Sequence, residues 1–337
     1  MDIEITRFDP VCAPESDLAE HFAVTLAISR LQFPEQPAPT FDFYKAFLHT
    51  AMTAWGPRLH WCARDGGRIV GTATVDLLEP ESPDTAIIQV LILPEMRRRG
   101  IGTALLQETL ATCRTEGRET IVASSMKSGG DREAWTRSLG FTKVAEWVRQ
   151  SLSIADADPA LWQVQEPDGY RAMLWTGAAP EEVVAGFARA RTAIHDAPFG
   201  ESSLPVPEWT VERVRRHEAD AQIRGGELHT AVAIHDATGT IAGLTQLEIQ
   251  DGLLNTAFQQ DTSVLPEYRG HGLGRFVKAT MVRRLTVERP QITHVLTKTD
   301  ANNTHMIRVN HQLGYTTDHT LINLETTLEA LQRRLSS

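Results

Sequence analysis

Two stretches of the chain repeat one arrangement of proline, arginine and glycine, and the chemistry that this arrangement favours is anion binding. One stretch is PEMRRRGIG at residues 94–102, and the other is PEYRGHGLG at residues 266–274. Each follows an apolar run and opens a segment with helical spacing. A helix N-terminus offers unpaired N–H groups and partial positive charge, glycine lets a ligand approach the backbone, and arginine adds a fixed charge. The pattern predicts two cradles, each suited to a pyrophosphate.

Other uses of these glycines fit the sequence less well. A single Gly-x-Gly is a weak signal, but the two copies share one context, with an arginine three residues before the first glycine. A dinucleotide-binding fold would need Gly-x-Gly-x-x-Gly after its first strand and an acidic residue about 20 residues later. The arginines at 97–99 would also suit a solvated surface, but a basic run at a helix N-terminus is unfavourable without an anion.

The elements that must position the cradles are repeated as well. Gly71 and Gly243 lie in similar strand contexts 172 residues apart, the distance that also separates the two cradles. Downstream, Leu-Gly-Phe at 139–141 matches Leu-Gly-Tyr at 313–315 with an offset of 174. Three landmarks in one order indicate duplication of a whole domain, since solenoid repeats are only roughly 20–50 residues long. Two domains of about 160 residues also agree with the length of the chain.

The composition is that of a globular protein and argues against several other classes. Of 337 residues, 42% are hydrophobic and 23% are charged, and no apolar run approaches the roughly 20 residues that span a bilayer. The acidic start Met1–Glu4 lacks a signal-peptide pattern, and the three cysteines are scattered. We therefore expect a cytoplasmic protein without a disulfide framework or a metal site. The net charge of −10 argues against nucleic acid as a partner.

A coarse assignment of elements places each cradle between a strand and a helix. The predicted elements of the first half are strands 69–77, 86–93 and 120–124 and helices 100–114 and 131–139. Those of the second half are strands 240–249, 256–265 and 293–297 and helices 272–287 and 303–313. The segment 155–169, rich in Asp, Pro and Gly, is the best linker candidate. We therefore predict domains at residues 1–158 and 159–337.

With these elements, the chain resembles the GNAT superfamily of acyl-CoA-dependent N-acetyltransferases. A strand, then Pro-x-x-Arg-x-x-Gly-x-Gly, then a helix is similar to its pyrophosphate-binding motif, usually written Gln/Arg-x-x-Gly-x-Gly/Ala. The second half resembles tandem GNAT proteins of actinobacteria more closely, through residues 303–315, His195–Pro198 and Asp261-Thr262. The resemblance implies an α/β fold of two tandem GNAT domains. Each would be a mixed, mostly antiparallel sheet with a V-shaped splay, flanked by helices.

The resemblance also implies where coenzyme A would bind. Pantetheine would lie in the gap between strands 86–93 and 120–124, or 256–265 and 293–297, where backbone N–H groups would polarise the thioester carbonyl. The implied contacts in the first half are Ile92, Leu93, Arg97, Arg98, Arg99, Gly100, Ile101, Gly102 and Thr103. The implied contacts in the second half are Val264, Leu265, Arg269, Gly270, His271, Gly272, Leu273, Gly274, Arg275, Asn303 and Met306. For Asn303, capping of its helix is an equal alternative.

For the catalytic groups, the resemblance leaves alternatives. In this family the amine attacks the thioester directly, so the resemblance implies a base, often acting through water, and no nucleophilic Ser or Cys. Asp261 is the first choice because it lies on the strand that enters the second cradle; Glu248 and His229 are the others. Many members place a tyrosine acid five residues before the aromatic residue of Leu-Gly-Phe/Tyr. Asn310 and Thr136 occupy that position here, neither has a useful pKa, and Asn310 is a candidate catalytic residue by position.

The residues and the resemblance together predict transfer of an acetyl group from acetyl-CoA to a primary amine of a small molecule. We expect the C-terminal domain to be catalytic and the N-terminal domain to bind coenzyme or to be degenerate. A non-catalytic acyl-CoA sensor, an O-acyltransferase and an enzyme that acts on a peptide or protein amine stay open. We expect no nucleic-acid or membrane partner. We also expect a monomer, because the duplication would let one chain mimic the dimer that single-domain relatives form.

Overall fold

Strands and helices follow one another along the chain in a computed structural model that describes residues 3–34, 36–49, 56–79, 81–196, 198, 200–253 and 255–336. The strands are β1 (Ile3–Phe8), β2 (Arg58–Asp65), β3 (Arg68–Leu77), β4 (Thr85–Ile92), β5 (Thr120–Lys127), β6 (Thr142–Ser153), β7 (Tyr170–Thr176), β8 (Gly226–His235), β9 (Ile241–Gln250), β10 (Thr256–Val264), β11 (His294–Asp300) and β12 (Thr316–Thr327). The helices are α1 (Glu15–Gln32), α2 (Phe41–His49), α3 (Ile101–Thr115), α4 (Asp131–Ser138), α5 (Glu181–Thr192), α6 (Val211–Ile223), α7 (Leu273–Glu288), α8 (Thr304–Gln312) and α9 (Leu328–Ser336).

The chain forms two compact units whose sequences are interleaved. The N-terminal unit comprises Met1–Glu146, Gly200–Pro205 and Leu321–Ser337, and the C-terminal unit comprises Trp147–Phe199 and Val206–Thr320. Each unit therefore uses a strand from the other half of the sequence, β12 in the first and β6 in the second. The boundary between residues 158 and 159 stays a prediction for where the two duplicated domain sequences divide.

The N-terminal unit is built on a sheet with the strand order β1-β2-β3-β4-β5-β12. All neighbouring pairs are antiparallel except β4 and β5, which are parallel. The core between this sheet and its helices includes Leu105 from α3, Ile121 from β5 and Leu324 from β12, all fully buried. This mixed, mostly antiparallel arrangement confirms the fold class predicted from the sequence.

The C-terminal unit repeats the arrangement with the strand order β7-β8-β9-β10-β11-β6. Only β10 and β11 are parallel. Its buried residues include Leu247 from β9, Phe276 from α7 and Val295 from β11. The predicted linker segment contributes here too, because Trp162 is buried and its Nε1 donates a hydrogen bond to Leu313 O at 2.9 Å.

The two parallel pairs open into the predicted V-shaped splays. The ladder between β4 and β5 joins only Thr85–Ile87 to Thr120–Val122, and the ladder between β10 and β11 joins only Thr256–Phe258 to His294–Leu296. Beyond these positions each pair diverges toward its cradle. Against β9, strand β10 also shifts register between Gln259 and Thr262, whereas β4 pairs regularly with β3. A bulge of this kind redirects side chains, so the splay edges differ between the units.

No helix among the described residues has the length and apolar character that crossing a bilayer requires.

The interleaving predicts that a fragment of residues 1–158 will not fold by itself. It would lack Ile322, Leu324 and Leu331, each at most 1% exposed in the N-terminal unit, and burial of such side chains contributes about 1.5–3 kcal/mol each. We expect no cooperative thermal transition by circular dichroism for this fragment, and a recovered transition when it is co-expressed with residues 159–337. A cooperative transition of the lone fragment would contradict the exchange of strands.

A second prediction concerns Lys278, which lies wholly buried on α7 with its Nζ 3.1 Å from Gln259 Oε1. Burial lowers its pKa to about 7, below the unfolded value of about 10.4. Between these values the unfolded chain binds the extra proton, so stability must rise with pH from about 7 to 10. In Lys278→Met this rise should be absent from urea melts at different pH values, whereas half-exposed Lys143→Met should retain it. Equal pH dependence in all three proteins would contradict the assignment.

Candidate active site

Each cradle is a turn in which two residues adopt the left-handed backbone conformation. In the N-terminal unit these are Arg98 and Gly100, with φ of 60° and 80°; in the C-terminal unit they are Gly270 and Gly272, with φ of 86° and 75°. Arg98 occupies the position of Gly270, at the 172-residue offset. A non-glycine residue in this conformation costs on the order of 1 kcal/mol. The turn is therefore imposed by its surroundings, and such alternating turns make anion-binding concavities.

The first N–H groups of α3 and α7 are left for a ligand. The first intrahelical bonds run from Ala104 N to Gly100 O and from Phe276 N to Gly272 O, each at 3.0 Å. Neither helix start has a side-chain cap, whereas Thr210 caps α6. A Cβ added at Gly100, Gly270 or Gly272 would meet no atom within 4 Å. The cradles thus fit a pyrophosphate, which would accept hydrogen bonds from these backbone groups.

The motif arginines brace the cradles as well as carrying charge. Arg97 Nε donates to Ile92 O at 3.4 Å, and Arg269 Nε donates to Val264 O at 3.2 Å. Each guanidinium also pairs with an acid. For Arg97 this is Asp131 at 3.5 Å, and for Arg269 it is Asp196 at 2.6 Å. The arginines therefore tie the strand end to the turn, a role that the sequence did not indicate. Arg98 and Arg99 are exposed.

Four of the apolar residues predicted as coenzyme contacts are buried residues that flank the cradles in sequence. These are Leu93, Leu265, Ile101 and Leu273. The N–H groups of Leu93 and Leu265 already donate to Val70 O and Ala242 O, at 3.1 and 2.9 Å. The structure gives these side chains a positioning role, and coenzyme contact stays a prediction for them.

Ile92 and Val264, at the strand ends, lie over glycines of the neighbouring strands. A Cβ on Gly71 would approach Ile92 Cδ1 to 2.6 Å, and one on Gly243 would approach Val264 Cγ2 to 3.2 Å. The repeated glycines noticed in the sequence therefore make room for the residues at the splay.

The remaining predicted contacts are spread around the two helix starts. Thr103, Gly102, Gly274 and Arg275 are half-buried in the first turns of α3 and α7, and His271 is exposed with its ring 5.6 Å from that of Tyr170. Asn303 caps α8, since its Oδ1 accepts from Met306 N at 3.1 Å. Met306 packs against the core of the C-terminal unit. The geometry establishes the capping role of Asn303, and its contact with coenzyme stays a prediction.

Asp261, the first choice for a base, is held in an ion pair. Its Oδ2 accepts hydrogen bonds from Arg191 Nη2 at 2.7 Å and Nε at 3.2 Å. Arg191 is 2% exposed, whereas the Asp261 side chain is 28% exposed. The guanidinium stacks on Trp209, with 3.2 Å between Cζ and the ring centroid. Burial lowers the pKa of Arg191, while Asp261 acts in the opposite direction. The sequence did not identify Arg191.

Glu248 is more enclosed than Asp261. Its side chain is 5% exposed, and Arg224 Nη2 lies 3.5 Å from its Oε1. Gln250 Nε2 donates to Oε1 at 2.9 Å and Gln260 Nε2 donates to Oε2 at 3.1 Å. Both carboxylate oxygens are therefore occupied, which leaves Asp261 as the more accessible of the two acids.

The histidine alternative, His229, is fully buried, and its Nε2 bonds the carboxylate of Glu227. This arrangement favours a structural role. A histidine that sequence reasoning missed, His217 on α6, lies edge-on to Trp209 with 5.5 Å between ring centroids. Burial lowers its pKa to about 4, with Arg191 acting in the same direction. His217 is therefore neutral near pH 7.

The positions of the missing tyrosines are buried. Asn310 is 0% exposed, and its Nδ2 donates to Gln150 Oε1 at 2.8 Å. Thr136 is also buried and donates to Arg132 O at 2.8 Å. A catalytic role for Asn310 stays a prediction. Among the described residues, no group of three or more His, Cys, Asp or Glu side chains is placed to hold a metal ion.

The N-terminal unit contains a cavity of about 220 Å³ that the sequence did not reveal. It reaches from α1 and α2 to the diverging parts of β4 and β5, and its lining includes His21, Tyr44, His60, Asp76 and Gln89. Asp76 lies 172 residues before Glu248. Applying the repeat offset to Glu248 would therefore have identified it.

Comparison with known sequences agrees with this geometry. The family model described as the acetyltransferase (GNAT) family matches residues 25–141 and 192–315. The chain therefore belongs to the GNAT acetyltransferase family. The two matches confirm the tandem arrangement and the N-acetyltransferase class predicted from the sequence.

Curated proteins similar to the chain carry the name of an acetyltransferase. Mycothiol acetyltransferase of Mycolicibacterium smegmatis is 24% identical over 261 residues, covering 76% of this chain and 80% of the relative. The protein of that name from Acidothermus cellulolyticus is 28% identical over 275 residues, covering 76% of each chain.

Among solved structures, a tandem GNAT protein from the clavulanic acid biosynthesis pathway superposes with a TM-score of 0.82 at 24% identity, covering 97% of this chain and 99% of that chain. A GCN5-related N-acetyltransferase from Sphaerobacter thermophilus gives a TM-score of 0.72 at 14% identity, covering 97% and 96%. At these identities the likeness shows the fold.

The ion pair of Asp261 leads to a stability prediction. Asp261→Asn would leave the buried Arg191 charge without its partner, so we expect a loss of about 1–3 kcal/mol of unfolding free energy. Adding Arg191→Met should recover most of this loss. Urea melts of the wild type, the single variant and the double variant would measure it. Asp261→Asn as stable as the wild type would show that the pair contributes nothing.

Proposed function

We propose that this protein transfers an acetyl group from acetyl-CoA to a primary amine of a small molecule. The observation that carries the proposal is that, in each unit, a parallel strand pair diverges directly before a left-handed cradle at a helix start. The ladders stop at Ile87 and Phe258, and the cradle glycines follow at Gly100 and Gly272. The freed strand edges and the helix start together suit an elongated ligand with a pyrophosphate.

The chain's own groups would act on such a ligand in three ways. The N–H groups at the starts of α3 and α7 would bind the pyrophosphate, and Arg97 and Arg269 would keep the cradles in shape. The freed backbone edges of β4 and β10 would hold the pantetheine arm. Bound there, acetyl-CoA supplies the thioester that an amine attacks. The enclosing helices would limit competing hydrolysis by water.

Within the C-terminal unit, Asp261 is our candidate for the base. It sits at the bulge of β10, where Gln260 and Asp261 fall between the two paired stretches of the strand. Its partly exposed carboxylate would take the proton of the incoming amine, directly or through water. Arg191 would hold the carboxylate in position.

The double variant of Asp261 and Arg191 separates this role from a structural one. The double variant Asp261→Asn with Arg191→Met should regain most of its stability. If Asp261 is the base, the kcat/KM of this variant should nevertheless stay at least about 100-fold below that of the wild type. Recovery of turnover together with stability would assign Asp261 to structure alone.

The relatives named mycothiol acetyltransferases make mycothiol without its acetyl group one amine to test, alongside amino sugars, amino acids and diamines. The expected cytoplasmic location and the expected monomer stay predictions.

Substitution of the cradle glycines tests the proposal. Gly274 lies in the first turn of α7 without a left-handed backbone, and a Cβ there meets only Val264 Cγ2, at 3.9 Å. Gly274→Ala should therefore fold and bind. Gly274→Glu should also fold, since an acid is favourable at a helix start, but its carboxylate should compete with the pyrophosphate and weaken acetyl-CoA binding at this unit by at least about 100-fold.

Calorimetry with acetyl-CoA and a thiol assay for released coenzyme A would measure both effects, and the matched pair Gly102→Glu and Gly102→Ala repeats the test in the N-terminal unit. For an amine used by the C-terminal unit, only Gly274→Glu should stop turnover. Equal losses from both glutamates would contradict a division of labour. Absence of any acetyl-CoA binding by the wild type would contradict the proposed function.

A further inference from the structure

The cavity of the N-terminal unit is placed where an acceptor would meet a thioester. It lies against α1 and α2 on one side and reaches Gln89 on β4 and Ser124 on β5 on the other. Both residues come after the last paired positions of their strands, Ile87 and Val122. The cavity therefore opens into the gap that the proposed function assigns to the pantetheine arm, and a role for it as an acceptor site rests on that function.

A chain of hydrogen bonds determines what His21 presents to this cavity. Thr25 Oγ1 donates to His21 O at 3.2 Å, which uses its hydrogen. Tyr44 OH, 2.8 Å from Thr25 Oγ1, must then donate to Thr25. Tyr44 therefore accepts from His21 Nδ1, 2.7 Å away. In a neutral imidazole this assigns the proton to Nδ1 and leaves a lone pair at Nε2.

The lone pair of His21 Nε2 is buried and has no partner among the described residues. His21 is 2% exposed, and its ring stacks on Phe8 with 4.8 Å between centroids. Burial lowers the pKa of His21 to about 4, so the ring is neutral at pH 7. A buried acceptor without a donor costs about 1–3 kcal/mol, a cost that a ligand's N–H or O–H group would remove.

His60 places a second buried histidine ring beside that of His21. Its ring lies 6.1 Å from that of His21, edge-on, and its Nδ1 is buried without a partner in the described part of the chain. Burial lowers the pKa of His60 to about 3, with His21, Arg58 and Arg7 acting in the same direction. Two neutral imidazoles therefore face the same cavity.

The charges in the cavity wall are Asp76, Arg58 and Arg132. Arg58 Nη2 donates to Asp76 Oδ2 at 2.8 Å, so the opposite charges of these two residues offset each other. Arg132, at the start of α4, donates to Gln32 Oε1 at 3.0 Å. The wall thus combines the Arg58–Asp76 pair, the Arg132 guanidinium, neutral ring nitrogens and hydroxyls such as those of Thr72 and Thr74. This surface suits a small polar molecule that brings hydrogen-bond donors.

We propose that this cavity is a second acceptor pocket, in which a small polar primary amine donates a hydrogen bond to His21 Nε2 and is acetylated within the N-terminal unit. The amine nitrogen forms the new C–N bond to the acetyl carbonyl carbon as the C–S bond breaks. The sulfur leaves as the coenzyme A thiolate. The amine's proton passes through solvent to that thiolate, so the products are the amide and coenzyme A. His21 is a binding group, since a ring with so low a pKa is a poor base at pH 7.

The experiment uses the full chain carrying Gly274→Glu, which should close the C-terminal cradle and leave acetyl-CoA binding only at the N-terminal cradle. A panel of glucosamine, ethanolamine, putrescine, glycinamide and mycothiol lacking its acetyl group is assayed for released coenzyme A. Each active amine is then titrated into the protein by calorimetry, which reports binding independently of turnover.

Two variants alter the cavity in this background. Gln89→Trp places an indole at the cavity mouth from an exposed position, with little risk to folding. His21→Leu removes the buried acceptor. The matched control Gln107→Trp places the same indole on the exposed face of α3, away from the cavity. Thermal melts and the count of acetyl-CoA sites report folding in every variant.

We expect Gly274→Glu to retain transfer to at least one amine. His21→Leu should lower both the transfer and the calorimetric affinity for that amine by at least about tenfold, the effect of losing one hydrogen bond to a buried group. Gln89→Trp should lower both by a similar factor, because the indole blocks the cavity mouth. Gln107→Trp should change neither. Loss of transfer to every amine in Gly274→Glu, or surviving transfer that neither cavity variant affects, would overturn the second pocket. A wild type that transfers to none of the amines would instead contradict the proposed function.

Discussion

The structure depends on a backbone constraint at the starts of α3 and α7, where several N–H groups must point outward without an internal acceptor. Helix starts usually satisfy some of these groups with a side-chain cap, as Thr210 does for α6. At the two cradles no side chain does so, and the preceding turn is forced through left-handed positions. Glycine suits three of these four positions. At the fourth, Arg98 accepts strain, which indicates that the turn itself is what both units preserve.

In each unit the motif arginine connects the end of the splayed strand to the cradle turn. Arg97 and Arg269 donate back to the carbonyl at the strand end while pairing with an acid on another element. The backbone conformation of the strand end and cradle turn is similar in both units. Around it the side chains differ: the C-terminal unit has a bulged strand with the Asp261–Arg191 pair, and the N-terminal unit has a regular strand and a histidine-lined cavity. A shared cradle geometry with different surrounding side chains is the physical result of the duplication.

Much of this architecture was predictable, and the reasons lie in particular residues. The cradle strands and helices follow from apolar runs bounded by Pro94 and Pro266, and the duplication follows from a constant offset. The exchange of strands β6 and β12 could not be predicted from the sequence. Each strand would have the same local sequence pattern whether it paired with strands of its own half or with strands of the other half. Arg191, His217 and Tyr44 were missed because each is an ordinary residue of an amphipathic helix until the sheet brings it beside a carboxylate or an imidazole.

The sequence by itself determined the family, the positions of the two cradle turns and the order of the elements around them. These features depend on backbone conformation and on residues close together along the chain, so spacing is enough to specify them. Only the tertiary structure decided the state of the side chains. It placed Asp261 in an ion pair, Asn303 at a helix cap, and in one cavity two histidine nitrogens that have no partner among the described residues. Those outcomes depend on burial and on contacts between residues far apart in the chain, which no local pattern encodes.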